Sequence, residues 1–583
     1  MVWEWWDVTG DVRPGLLLEV RAELEEAAHE MDATLRQAAS SAAVGCHGGS
    51  AAGFYAGTGS LILGGRESHP LLLEAAAEAL AFLVRQHESA GRAFAADDLY
   101  WTNDPRCDGA GLEDLILASP VVRGGHVIAF VAVTAIHTEL GRASLAPVES
   151  LRREGLVLPW MRVGGTGAIR TEILDLLAAN VDAPAGFLED LRAQIHSLRQ
   201  GRAVMEALAD RQGPERLARV WEALQAWCRR ALSGILGRFE TGPAEARLPP
   251  FTVRLRTEGE GAVVSVEAQD PASCEPPSPA LARACIRAAL REAITAEVPA
   301  VSVLGGLSEA VRVETSWTSS PHHTPMGAAR FAAAQAVADA VLAAVALRLP
   351  HLAHAPDAGP LVLDLRGERG DGSRYRMRLE VCGGLGASVF GDGMTHAAPL
   401  FQPLHLRPVE AIERAAPLRV LRFELRPDSG GPGQYRGGLG ASMTLELLEG
   451  RAEVDVLLPA SPLGLRGGMR AAGPRCVLLT PEAGAREQAG PARFTFGLQA
   501  GHRLILEAPG GGGWGLPFQR SIMRVEEDLV RGNIGGEQSK RRYGVVLKPG
   551  SLEKDDHLTY RVRHYLLSTL AAEDIIAGEE LLD

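Results

Sequence analysis

Asp114-Leu115-Ile116-Leu117-Ala118-Ser119-Pro120-Val121-Val122-Arg123-Gly124-Gly125-His126-Val127-Ile128-Ala129-Phe130-Val131-Ala132-Val133-Thr134-Ala135-Ile136-His137 is two apolar, β-branched-rich runs on either side of a Gly-Gly pair. Glycines at that point supply the positive φ of a two-residue hairpin turn, so the stretch reads as two antiparallel strands. With the turn centred on Gly124-Gly125, Leu112 falls opposite His137 and Ala135 opposite Asp114. Asp114 and His137 are then diagonal neighbours on one face, about 6–8 Å apart at Cα, within reach of a shared metal ion or proton. A carboxylate and an imidazole at a strand end also form ordinary structural hydrogen bonds, which is the commoner outcome.

Outward from the hairpin, residues 14–36 carry Leu17, Val20, Leu24, Ala28, Met31 and Leu35 at the period of an amphipathic helix, with Pro14 in its first turn. Residues 54–62 read as one strand and 71–87 as a second helix. Residues 189–231 are helical with a break at Gln212-Gly213-Pro214. Composition shifts at Thr241-Gly242-Pro243, which marks a boundary, and 251–266 alternates as a strand pair. Residues 327–349 form an Ala-rich helix. It is long enough to span a bilayer, but Gln335, Asp339 and Arg348 make it a buried core helix instead.

From about 360 to 517 short strands crowd between Gly and Pro residues, the pattern of a β-sandwich or barrel-like layer. The expected fold class is α+β and multi-layered, with a mixed α/β amino-terminal part and a Gly-rich, sandwich-like carboxy-terminal part. The expected parts are 1–240, 241–358, 359–547 with a closing helix, and a helical extension over 548–583. Leu566, Leu567, Leu570, Ile575 and Ile576 in that extension are apolar enough to dock on a neighbouring subunit.

Two loops, Gly430-Gly431-Pro432-Gly433 and Gly510–Gly513, lack the Gly-Lys-Ser/Thr of a phosphate loop and read as tight turns requiring positive φ. A formal net charge of -13 argues against nucleic-acid and anionic-membrane partners, because phosphate backbones and acidic lipids repel such a surface. Seven cysteines, an odd number with no CxxC, give neither a disulfide framework nor a zinc ribbon and point to the reducing cytoplasm. Residues 1–7 are acidic and Trp-rich, unlike a signal peptide. Cys46-His47 is a weak thiol–imidazole pair, since neighbours along a strand point to opposite faces.

Several strings, in one order, carry a resemblance. They are Thr102-Asn103-Asp104-Pro105, Asp114 with its hairpin, Leu177-Ala178-Ala179-Asn180-Val181 and Asp190-Leu191-Arg192-Ala193-Gln194. Later come Glu424-Leu425-Arg426-Pro427-Asp428-Ser429-Gly430-Gly431, Tyr435-Arg436-Gly437-Gly438-Leu439-Gly440, Pro509 through Gly515 and Tyr543-Gly544-Val545-Val546-Leu547. Together they resemble the hydantoinase B family, the B-type subunits or domains of ATP-dependent hydantoinases, 5-oxoprolinases and acetone or acetophenone carboxylases. The resemblance implies an A-type hydantoinase/oxoprolinase partner that binds ATP and Mg and phosphorylates the substrate's oxygen. The B-type part then hydrolyses the ring or carboxylates carbon, with a metal able to polarise a carbonyl or activate water.

The same resemblance places Thr-His-Leu-Pro-Asp before the first hairpin strand and His-His with a following Asp after the second. Here the first motif reads Ala110-Gly111-Leu112-Glu113-Asp114 and the second Ala135-Ile136-His137-Thr138-Glu139. Asp114 and His137 remain as metal candidates, and Asp114, His137 and Glu139 as catalytic ones, while Gly111 and Ile136 stand where histidines are usual. Two protein ligands leave a transition-metal site incomplete, so zinc or manganese is expected weakly bound or absent on this chain. Cys46-His47-Gly48-Gly49-Ser50 also replaces the usual Arg-Arg-Asp-Phe-Ser. Ala397 through Leu404, flanked by His396 and His405, replaces a polar run before Pro408-Val409-Glu410.

Three readings stay open. The chain is a diverged, mainly structural B-type paralogue beside a second B-type chain, as in acetophenone-carboxylase-like assemblies. Or it is a working catalytic subunit using Asp114, His137 and Glu139, with His69 or His396 brought in by the fold. Or it is a non-enzymatic interaction protein. Hydantoins, lactams and ketones are all served by one scaffold, so the substrate is not legible.

Overall fold

The computed structural model describes residues 12–45, 48–107, 111–141, 151–165, 168–239, 242–269, 276–317, 328–402, 407–481 and 484–569. Residues 1–7, Cys46-His47, Ala110, His405, Leu570, Ile575 and Ile576 lie outside them. The fold is α+β and divides into two compact units, Met1–Ala344 and Val345–Asp583. The expected boundary at 240/241 falls inside the first unit; those at 358/359 and 547/548 fall inside the second.

In the first unit, α1 (Pro14–Ala38) buries Leu17, Val20, Leu24, Ala28, Met31 and Leu35, the apolar stripe read from the period. A seven-stranded sheet follows: β1 (Ser50–Ala56), β2 (Leu61–Gly64), β3 (Asp98–Thr102), β4 (Asp114–Arg123), β5 (His126–Ile136), β6 (Met161–Gly165) and β7 (Ala168–Ile169). Its order is β2-β1-β5-β4-β3-β6-β7, and every neighbouring pair is antiparallel. The single strand expected over 54–62 is a hairpin, because Gly59 takes φ +90 and turns the chain between β1 and β2.

Helices cover both faces of the sheet. On one face α1 packs against α3 (Pro184–Gln212), where a Cβ at Gly201 would sit 2.2 Å from Met31 Sδ and 3.0 Å from Val131. On the other lies α2 (Pro70–Ser89), with the Tyr55 hydroxyl donating to Leu73 O at 3.2 Å. The break expected at Gln212-Gly213-Pro214 separates α3 from α4 (Pro214–Leu236), with Gly213 at φ +76. Buried ion pairs Arg291–Glu74 (2.7 Å) and Arg287–Glu78 tie α2 to α5 (Pro279–Glu297). The last long helix, α6 (Ala328–Arg348), is apolar and long enough to cross a membrane over Ala329–Arg348, yet most of it is buried inside the protein. A second sheet, β11-β10-β9-β8, is built from β8 (Ala244–Leu248), β9 (Phe251–Glu258), β10 (Gly261–Ala268) and β11 (Val311–Thr315), with β10 and β11 parallel.

The second unit is a sandwich of two antiparallel sheets. One has the order β13-β12-β16-β19, from β12 (Leu361–Glu368), β13 (Arg374–Val381), β16 (Arg451–Leu458) and β19 (Ala492–Gln499). The other is β14-β15-β20-β17-β18, from β14 (Leu418–Leu425), β15 (Ala441–Leu447), β17 (Arg475–Thr480), β18 (Gly484–Ala489) and β20 (Arg503–Glu507). Leu363, Leu365, Val454 and Val456 from the first meet Met443, Leu445, Leu504 and Leu506 from the second in one core. The sequence pattern predicts short strands at 361–365, 374–381, 418–425, 442–448, 452–458 and 503–507, which are β12 to β16 and β20; it does not signal β17, β18 or β19. Beyond the sandwich lie α7 (Ile522–Val530), α8 (Gly536–Tyr543) and α9 (Asp556–Thr569).

The Gly-rich loops are not tight turns of positive φ, which corrects that expectation: none of Gly430, Gly431, Gly433 or Gly510–Gly513 lies in the left-handed region. They are glycine because backbones touch there. A Cβ at Gly437 would stand 1.9 Å from Gly511 O, and one at Gly431 2.5 Å from both Gly513 N and Met469 O. The amides of Gly431, Gly511, Gly512 and Gly513 donate to Gly511 O, Gly438 O, Pro356 O and Met469 O at 2.9–3.1 Å. Those N–H groups are spent within the protein, so none is turned outward as in a phosphate cradle.

Candidate functional site at the hairpin end

The β4–β5 hairpin turns at Gly124-Gly125 as expected, with φ +60 and +81. Arg123 faces His126 and Val122 faces Val127, but the next pair is Val121 with Ala129. Ile128 is therefore an extra residue, a β-bulge, and from there every pairing moves by one. Asp114 stands opposite Ile136, not Ala135. The expected placement of Asp114 and His137 on one face is overturned, because a one-residue slip exchanges the faces of a strand.

His137 points toward α3. Its Nε2 lies 3.0 Å from Gln194 Oε1, and its ring sits edge-on to Phe187 at 5.1 Å between centroids. Gln194 Nε2 donates to Leu115 O and Val133 O, both at 2.7 Å. With both amide hydrogens committed, Gln194 Oε1 is the acceptor, so His137 carries its proton on Nε2. Burial lowers the imidazole pKa, opposed by the Gln194 bond and by Asp190. His137 is thus a neutral strap between the strand ends and the helix. Glu139 serves the same helix: its Oε2 accepts from Asp182 N and Ala183 N at 3.1 Å, just before α3 begins.

Asp114 points to the opposite face. Its Oδ2 accepts from Gly111 N at 3.1 Å, and its Oδ1 pairs with Arg330 in the first turn of α6. Arg330 Nη1 also lies 3.7 Å from Glu113 Oε2, and all three side chains are about 95% or more buried. The guanidinium stacks over Phe331 at 4.2 Å, whose ring is 5.6 Å from that of His69. His69 therefore lies on the Asp114 face, where its Nδ1 caps α2 by accepting from Leu72 N at 3.4 Å. Burial pushes the Asp114 carboxyl up, and Arg330 opposes that shift. Asn103 holds the approach in place: Nδ2 donates to Leu112 O (2.7 Å) and Leu156 O (2.9 Å), while Oδ1 accepts from Leu158 N (2.6 Å). His396 belongs to the second unit, its Nδ1 3.1 Å from Cys382 O.

So Asp114 gathers Glu113, Arg330 and, through Phe331, His69; His137 and Glu139 gather on the other face around α3. Among the described residues no three His, Cys, Asp or Glu side chains converge to cradle a metal ion. Arg330 escaped the sequence reading. Its only local sign is a lone arginine entering the apolar run Ala328-Ala329-Arg330-Phe331-Ala332. Gln194 had a stronger sign, four residues after Asp190 on a helix face whose neighbours are apolar.

A model of the hydantoinase B/oxoprolinase family matches residues 16–517, most of the chain. The chain belongs to that family. Among curated relatives of this hydantoinase B chain is the caprolactamase subunit beta of Pseudomonas jessenii, 26% identical, with 95% of this chain and 99% of that one aligned. The fold is shared with the crystal structure of the ATP-dependent caprolactamase from the same organism, at TM-score 0.78 and 21% identity over 95% of this chain and 100% of the other. It is shared as well with nucleotide-free acetone carboxylase, at TM-score 0.82 and 16% identity over 96% and 84%.

Proposed function

We propose that this chain is the B-type subunit of a heteromeric, ATP-dependent, cytoplasmic complex acting on a cyclic amide or a ketone, and within it a mainly structural paralogue. The end-to-end alignment with a caprolactamase subunit beta carries the first part. ATP and Mg are assigned to an A-type partner, consistent with Gly-rich loops whose amides are used internally. The structural role rests on the hairpin end, where Asp114 and His137 face away from one another and each is committed to holding a helix. In this reading a second B-type chain performs the hydrolysis or carboxylation.

The test is co-expression of the full chain with an A-type subunit and a second B-type subunit, followed by assay of ATP hydrolysis with hydantoin, caprolactam, 5-oxoproline, and acetone plus bicarbonate. Expected are a stable complex, no Mg-ATP binding to this chain alone by calorimetry, and turnover within about twofold of wild type for His137→Gln, which keeps a donor toward Gln194. A general acid or base is worth roughly 10²–10⁴-fold, so a loss of that size would make this subunit the seat of the chemistry. Failure to associate with any A-type subunit would end the proposal.

A further inference from the structure

We infer that Arg330 is the resident cation of the hairpin end, occupying the position that a divalent ion would take if residues 111 and 136 were histidines. Three positions meet at this point: Gly111 N bonds Asp114 Oδ2, and Asp114 faces Ile136 across the ladder. Two of the three offer no donor side chain. The space between them is filled, since a Cβ on Gly111 would lie 2.8 Å from Arg330 Nε, 2.9 Å from Cζ and 3.0 Å from Cδ. Residue 111 and residue 330 are therefore coupled by volume: any side chain at 111 would force the guanidinium to shift from where it stands.

Charge agrees with volume. Two buried carboxylates, Asp114 and Glu113, face one guanidinium, which brings its own fork of donors where a metal ion would need several protein ligands. A carboxylate buried without a partner is strongly destabilising unless it takes up a proton, and here the Arg330 guanidinium supplies the counter-charge. A resident zinc or manganese does not fit the residues present: one carboxylate oxygen is taken by Gly111 N–H, the other by Arg330, and His137 faces the opposite side of the sheet. It follows that replacing Gly111 and Ile136 by histidine is insufficient to build a metal site while Arg330 remains.

The inference rests on the reading of the hairpin end as non-catalytic in this subunit, and one preparation tests the two separately. The full chain is purified with its A-type partner, stripped with chelator, and titrated with Mn²⁺ or Zn²⁺ alone by calorimetry and elemental analysis. The wild type and Gly111→His/Ile136→His should hold no stoichiometric ion. Gly111→His/Ile136→His/Arg330→Ala should gain about one ion per chain and a higher Tm on metal addition. One ion in the wild type that Asp114→Asn removes, a double variant that binds as well as the triple, or a folded triple that binds none would each overturn it.

Should the triple variant not fold, Arg330→Ala alone decides. Its Tm should fall well below that of wild type, while Arg330→Lys, which keeps a cation, falls less; a Tm for Arg330→Ala equal to wild type overturns the inference. Partner bound with stoichiometric metal in the wild type sinks this inference and leaves the assembly proposal standing; metal absent with no partner bound does the reverse.

Discussion

Asp114 and His137 leave the first sheet on opposite faces, one toward Arg330 and the other toward Gln194, although their positions in the ladder differ by a single step. Ile128 is the cause. The extra residue lies near the turn, while its effect is felt at the far end of both strands, where the side chains with chemistry are.

Gln194→Leu should cost about 2–4 kcal/mol in urea unfolding. The substitution leaves Leu115 O and Val133 O without their donor and His137 without its acceptor, each a buried polar group stranded in an apolar interface. His137→Gln should cost distinctly less, because the two carbonyls keep their partner. Equal effects would show that the helix does not depend on this strap.

Asp32 introduces a pH dependence of known sign. Burial between α1 and the loop before α2 raises its pKa to about 7, against hydrogen bonds from Ser68 (2.8 Å) and the charge of Arg36, with Glu67 adding to the rise. The folded carboxyl holds its proton where the unfolded one has lost it, so its contribution is complete below about pH 4 and is lost as pH rises through about 7. Asp32→Asn should flatten the fall in stability between pH 4 and 8 by up to about 4 kcal/mol, measured as the difference in denaturation midpoints from wild type. A wild-type and variant difference that is constant with pH would refute it.

Gly437→Ala and Gly497→Ala form a matched pair. The first places a methyl 1.9 Å from Gly511 O; the second, in β19, meets nothing within 4 Å. Gly437→Ala should destabilise the second unit by more than about 3 kcal/mol, while Gly497→Ala should be neutral or slightly stabilising. Thermal scans with limited proteolysis distinguish them, and similar midpoints would mean that the loops yield.

Truncation separates two parts of the carboxy-terminal extension. Arg563 Nε donates to Tyr543 O at 2.9 Å, Val546 N donates to Thr559 Oγ1 at 3.0 Å, and Leu547 and Lys554 form a bridge. Residues up to Arg563 thus bond to their own chain, and deleting 548–583 should lower the Tm and expose Tyr543. A stop after Thr569 should leave the Tm unchanged. If both truncations behave alike, α9 contributes nothing to the fold.

The helices were legible because their signals are local: the stripe of α1 and the Gly213-Pro214 break each lie within a few residues. Strands β13, β15 and β20 were legible through alternation with a buried face. β18 was not, because Arg486, Glu487 and Gln488 are all exposed and no face of it is apolar. The bulge leaves no local trace either, since Ile128 sits among residues as apolar as itself. Arg330 is 216 positions from Asp114, and such a partnership has no signature at either end. Glycines that allow close approach look, in sequence, the same as glycines that allow positive φ. Only the neighbouring chain distinguishes them.

The ion pair between Asp114 and Arg330 has one more consequence. A charge carried on a side chain is delivered when the residue is translated. It needs no loading step, competes with no other protein for scarce metal, and is out of reach of any chelator. The end of this hairpin is therefore complete as soon as the first unit has folded, whatever the metal supply around it.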